Sequence, residues 1–211
     1  STYDDGIEMF GGAVNFTNFL AVYVRDDSID MDDGYIGTIN NALVIQSETQ
    51  GNQCIESDGL AGYGGDAAND AQRIADGLNS APTINNLTCI VSPSLKRPQN
   101  AGAGARFREG IRPTINDLVV LTSFGVNEDT ANNHCLRIDN EPDTVVTINS
   151  AFYACETNSN GSDDTAPVSA SSQFHPVPAG TVVDATVAAN PELVILSGAQ
   201  TARAAVSMSP I

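Results

Sequence analysis

Basic residues are what this chain lacks most. Nine lysines and arginines, Lys96 being the single lysine, face 26 acidic residues, for a formal net charge of −17. A surface of that sign repels a phosphate backbone, which argues against nucleic acid as a partner, and it disfavours anionic membrane surfaces for the same reason. The partners that fit are cations, basic surfaces and neutral saccharides. Long apolar runs are also missing. Stretches such as 19–24, "FLAVYV", are far too short to cross a bilayer, so no membrane insertion is expected. The two histidines, His134 and His175, show no HxxxH spacing, and GxSxG is absent, which leaves a histidine metal centre or a serine triad without support. No calcium loop of the EF-hand type occurs, and the cysteines show neither CxxC nor zinc spacing. The chain opens "STYDDG", without Met or a signal peptide, which suggests a processed or fragmentary start.

What is present describes a folded chain. Hydrophobic residues make up 41% and charged residues only 17%, so this is not an acidic disordered tail. At 211 residues it can bury one good core. An even set of cysteines, Cys54, Cys89, Cys135 and Cys155, favours two disulfides and an oxidising compartment, extracellular or at the cell surface; four buried free thiols is the alternative.

An internal repeat organises most of the sequence. The tripeptide Thr-Ile-Asn occurs at 38–40, 83–85, 114–116 and 147–149, with a looser copy at 15–17. Each copy is followed by an apolar run: "FLAVYV", "ALVIQS", "LTCIVS", "LVVLTS" and "AFYACE". Each is preceded by a second short strand-like piece: "GIEMF", "SIDMD", "CIESD", "RFREG" and "CLRID". Insertions at roughly 59–81 and 92–104 lengthen the later units and map to loops on one face of a solenoid. A unit this short cannot bury its apolar side alone, whereas stacking the units in parallel buries a continuous core. The expected fold is all-β, a right-handed parallel β-helix of about five rungs over 1–155, followed by a polar linker at 156–176 and a tail at 177–211.

The stretches "GIEMFGGAVN", "DDSIDMDDGYIG" and "GNQCIESDG" resemble, in that order, a poorly characterised group of bacterial pectin-lyase-like β-helix proteins, and the resemblance covers about residues 5–155. It implies secretion and the β-helix fold, and leaves activity open. Polysaccharide lyases of this fold class combine acidic calcium ligands with an arginine or lysine base, a role that Arg106, Arg108 and Arg112 of "RFREGIR" could fill. The pair Asp26-Asp27 is similar to the acid pair of pectin hydrolases, but the Gly-His-Gly and Arg-Ile-Lys motifs of those enzymes are absent.

Aligning the five first strands predicts columns of neighbours about 4.8 Å apart. Ile7, Ile29, Ile55, Phe107 and Leu136 form an inward stack. On the other face come Glu8, Asp30, Glu56, Arg108 and Arg137, then Phe10, Asp32, Asp58, Gly110 and Asp139. Asp30, Asp32, Glu56 and Asp58 therefore make a two-by-two carboxylate array on an exposed face. Like charges so close need raised pKa values, the neighbouring Arg108 or a bound cation, and calcium, with six to eight oxygen ligands in loose geometry, suits the array. A solvated acidic face screened by salt is the plainer alternative, with catalysis the third. Asn40, Asn85, Asn116 and Asn149 read as an amide ladder at a corner that needs left-handed backbone, with Thr17 ending it on the first rung. Cys54 and Cys135 share a column two rungs apart, too far for a disulfide, as are Cys89 and Cys155. The expected pairs are Cys54–Cys89 and Cys135–Cys155.

The first rung begins at Gly6-Ile7 with no cap, and the tail carries "LVILSGA", which reads as a strand or as part of a helix starting at Asn190-Pro191. A tail that covers the first rung of the next copy would propagate into a fibre. The leading functional expectation is thus an extracellular structural or surface-binding module, non-enzymatic and self-associating, with carbohydrate as a further partner. The alternative is a calcium-dependent, lyase-like carbohydrate-active enzyme.

Overall fold

The computed structural model describes residues 4–46, 51–60, 67–91, 103–122, 134–139, 143–155, 157–160 and 173–174. Five rungs follow the repeat. Strands β1 (Glu8–Phe10) and β2 (Phe16–Val22) form the first, and β3 (Ile29–Asp32) and β4 (Thr38–Ile45) the second. The third comprises β5 (Ile55–Asp58), helix α1 (Ala67–Ala75) and β6 (Thr83–Val91). Strands β7 (Ala103–Arg108) and β8 (Thr114–Thr122) form the fourth, and β9 (His134–Ile138), β10 (Thr147–Ile148) and β11 (Ala151–Ala154) the fifth. Two short strands within the polar segment, β12 (Thr157–Asn160) and β13 (Gln173–Phe174), pair with β9 and β11 and extend both sheets.

Every strand pairs in parallel with its counterpart on the next rung. Sheet A runs β1-β3-β5-β7-β9-β12, and sheet B runs β2-β4-β6-β8-β11-β13, with β10 also on β8. This is the parallel β-helix expected from the repeat. The 23-residue step from Phe16 to Ile39 is the pairing of β2 with β4. Alternation puts Ile29, Met31, Ile55, Ala105, Phe107 and Leu136 of sheet A inside, against Ile39, Val44, Ile84, Leu87, Ile115 and Val120 of sheet B. The two disulfides close single rungs as expected: Cys54–Cys89 ties the start of β5 to β6, and Cys135–Cys155 ties β9 to the end of β11, with Cα separations of 6.0 and 5.6 Å.

Three local readings need correction. On the fourth rung the register is displaced by two residues: Ala105, not Phe107, lies beside Ile55, while Phe107 lies beside Ser57. Small against large fills the layer, and Arg106 and Arg108 come opposite Glu56 and Asp58. A shift of two keeps every side chain on its face. The amide ladder is present, with Asn85, Asn116 and Asn149 each donating from Nδ2 to the Oδ1 of the preceding rung at 2.8, 2.7 and 2.6 Å. Its residues are not the left-handed ones, however. Positive φ falls one residue later, at Asn18, Asn41, Asn86 and Asp117, where asparagines form a second ladder. A bent backbone there turns the strand while the first ladder stays extended.

Helix α1 is the third difference, since the segment 59–81 reads from sequence as an irregular insertion. It ends on Gly77 (φ 75°), with Leu78 N–H bonded to Arg73 C=O and Gly77 N–H to Ile74 C=O, which satisfies the last carbonyls. Asn79 then locks the chain back onto the solenoid. Its Oδ1 accepts from Leu60 N–H at 3.0 Å and Ser80 N–H at 2.9 Å, and its Nδ2 donates to Gly110 C=O. Outside the interior, Ile45, Ile90, Leu121 and Ala154 make a smaller apolar cluster on the other side of sheet B, flanked by Tyr23, Leu43, Val119 and Phe152. The second insertion (but for its last residues), His175 and the tail 177–211 lie outside the described residues.

Candidate functional site

The outward face of sheet A gathers the ionisable side chains. Because strand side chains alternate, the residues next to the buried Met9, Ile29, Met31, Ile55 and Ser57 point away from the core. In register, Glu8, Asp30, Glu56, Arg106 and Arg137 form one column. Phe10, Asp32, Asp58 and Arg108 run alongside, with Phe10 paired to Asp32 and Asp58 to Arg108. The four expected carboxylates, Asp30, Asp32, Glu56 and Asp58, therefore do share a face over two rungs. That face is more recessed than the sequence implied: Asp30 is 8% exposed and Asp58 9%.

Arginines serve one end of the strip. Arg106 reaches Glu56 at 2.7 Å and Asp139 at 3.0 Å; Arg108 reaches Asp58 through Nε and Glu56 at 3.6 Å; Arg137 meets Asp139 at 3.0 Å. For Arg108 burial opposes the charge, but the hydrogen bond to Asp58 and the fields of Asp58 and Glu56 outweigh it. Its pKa is raised and it stays protonated. Asp58 is raised by burial, with Arg108 pulling it back.

At the other end the arginines of the strip form no ion pair with Asp5, Glu8 or Asp30 among the described residues. Burial, then the charges of Asp32, Asp5, Glu56 and Asp58, push Asp30 up to about 9. Burial and Asp58 push Asp32 to about 7. Burial likewise raises Asp5 to about 6. One carboxylate oxygen from each of Asp5, Glu8 and Asp30 lies within 4.8 Å of the others, and Asp4, Asp5 and Asp26 make a second such triad. Asp30 Oδ1 is buried and accepts no hydrogen bond.

The acid pair Asp26-Asp27 has a structural part. Asp27 Oδ1 accepts from Gln53 N–H at 2.5 Å, and Asp27 N–H donates to Asp5 Oδ1 at 3.0 Å, so the corner of one rung is pinned to those above and below. Burial, followed by the charge of Glu56, raises the Asp27 pKa. Of the arginines singled out in "RFREGIR", Arg106 and Arg108 join the strip, while Arg112 lies beyond the Arg108 turn, its N–H bonded to Ser80 C=O. His134 is buried at the start of β9. Asp5 escaped the sequence reading because it precedes the repeat; Glu8 stood in the right column but lacked a visible partner.

Rungs of parallel strands around one apolar interior, with a charged strip along one sheet, define a β-helix domain. The chain belongs to the family described as the pectate-lyase-like β-helix domain, which matches it over residues 1–190. No curated protein and no solved structure matches it.

Proposed function

We propose that the chain is an extracellular surface-binding module, without enzymatic activity of its own, that holds saccharide along the outward face of sheet A and associates end to end through its first rung. The carrying observation is the strip itself. Carboxylates on the first three rungs give way to guanidinium groups on the next two at the spacing of the rungs, which suits the hydroxyls of a sugar chain, and Phe10, 66% exposed, offers an apolar platform at its end. The family's β-helix fold is carbohydrate-related, and the two disulfides suit an oxidising, extracellular setting. Calcium among Asp30, Asp32, Glu56 and Asp58 would let the same strip accept acidic saccharides.

A calcium-dependent lyase is the second reading, favoured by arginines standing beside carboxylates. A lyase base has to give up its proton, and the shift at Arg108 runs the other way. Titration calorimetry against neutral and acidic polysaccharides, with and without calcium, tests the proposal alongside an ultraviolet assay for unsaturated uronides. Binding without product, weakened by Arg137→Ala, is expected. Product formation would replace the module with the enzyme, and absence of binding to every polysaccharide would remove the saccharide reading.

A further inference from the structure

The charged strip is balanced from the third rung to the fifth and unbalanced at the first two. Among the described residues no basic side chain pairs with Asp5, Glu8 or Asp30. These three come from two rungs and a turn. Asp5 is held by the N–H of Asp27, Glu8 stands exposed on β1, and Asp30 stands opposite Glu8 on β3. Three carboxylates brought together without a counter-charge repel one another, and a fold keeps such an arrangement at a cost in stability.

The second observation is independent of the clustering. Asp30 is 8% exposed, and its Oδ1 meets no hydrogen-bond donor among the described residues. A buried carboxylate oxygen without a donor is costly, on the order of 1–3 kcal/mol or more for a charged group, unless something positive faces it. The geometry has the right size. Oxygens coordinated to calcium at 2.3–2.6 Å lie up to about 5 Å apart across the ion, and the three carboxylate oxygens fall within 4.8 Å of one another. Three carboxylates supply up to six oxygens, with water completing the shell on the exposed Glu8 side.

We propose that Asp5, Glu8 and Asp30 bind one divalent cation of the calcium class, joining the first rung of the solenoid to the second. The ion supplies to the upper end of the strip the positive charge that Arg106 and Arg108 supply lower down. It fixes the turn before β1 to β3 and so acts as a clamp on the first rung. This site differs from the array of Asp30, Asp32, Glu56 and Asp58, in which two members are already engaged by arginine. It shares Asp30 with that array, and its test reads the ion alone, without saccharide.

Calcium titration of the full chain after chelator treatment tests this, read by calorimetry and by the thermal midpoint, with magnesium for comparison. One calcium per chain, a raised midpoint and a weaker response to magnesium are expected. Glu8→Gln, at an exposed position that burdens folding little, should weaken calcium on the order of tenfold or more, as should Asp30→Asn. Asp30→Asn should also leave the chelated protein at least as stable as the wild type, because it removes a buried carboxyl whose ionised form has no counter-charge. Asp76→Asn, at an exposed position just after helix α1, should leave calcium affinity within a few-fold. The proposal is overturned by absence of binding at millimolar calcium, by wild-type affinity in Glu8→Gln, or by a larger loss in Asp76→Asn than in Glu8→Gln.

Discussion

Asp30 and Asp58 stand on neighbouring rungs of the same face, equally buried, and differ chiefly in an arginine. Asp58 has Arg108; Asp30 has only other carboxylates around it. Arg108→Ala would leave Asp58 buried and unpaired. We expect a loss of about 2–3 kcal/mol at neutral pH by urea denaturation, below the value for a fully buried pair because Arg108 is partly exposed. That loss should shrink in acid as Asp58 takes up a proton. Asp30 sets the opposite trend for the metal-free protein. Its pKa is about 9 in the fold against an ordinary 3.8, so the folded state holds the extra proton. Its contribution to stability is intact below pH of about 4 and is lost as pH rises towards 9. Asp5 and Asp32 act in the same direction, up to about 6 and 7. Denaturation in chelator should thus show stability falling between pH 5 and 8 on a scale of about one proton or more, and Asp30→Asn should flatten the slope. A slope of the opposite sign would show that burial and the charges of Asp32, Asp5, Glu56 and Asp58 do not act on Asp30 as the geometry implies.

At the scale of the element, the repeat was the most legible feature because two periodicities reinforce each other. Alternation along each strand separates the core face from the solvent face, and recurrence of Thr-Ile-Asn places each strand beside its counterpart. The disulfide pairs followed, since register alone brings Cys54 near Cys89 and Cys135 near Cys155. Register on the fourth rung was not legible, because Ala105 and Phe107 are both apolar and both satisfy the alternation. What separates them is volume against Ser57 and ion pairing against Glu56, which are contacts across rungs. Helix α1 was hidden by the glycines around it, although Gly77 marks its end. The ladder makes a direct prediction. Asn116 donates to Asn85 and accepts from Asn149, so Asn116→Ala breaks both bonds and leaves two amides short of a partner. A cost of about 1–3 kcal/mol is expected in chemical denaturation. Gly34→Ala, at φ 89° with its would-be Cβ against Leu78 C=O, should cost a similar amount for a different reason, a left-handed turn packed against the chain that returns from α1.

For the whole molecule the open question is what meets the first rung. Among the described residues β1 and β2 are the terminal strands of the two sheets, with no further strand paired to their outer edges. Side chains there are apolar as well: Phe10, Val14 and Leu20 are 66, 63 and 60% exposed, and they are half of the large hydrophobics that stand out in this way among the described residues. Leu20 continues the row of Leu43, Thr88, Val119 and Phe152 along sheet B, and deeper members of that row are partly covered. A second copy laid on the first rung would continue both sheets and cover these side chains at once. Such a contact uses different surfaces on the two partners and can propagate. Light scattering and electron microscopy of the full chain should therefore show concentration-dependent assemblies. Leu20→Lys should shift them to monomer, because it puts a charge at the apolar edge and blunts it against pairing, while the exposed position leaves the fold intact. A monomer at every concentration would rule out end-to-end association, and assemblies unaffected by Leu20→Lys would place the contact elsewhere on the solenoid.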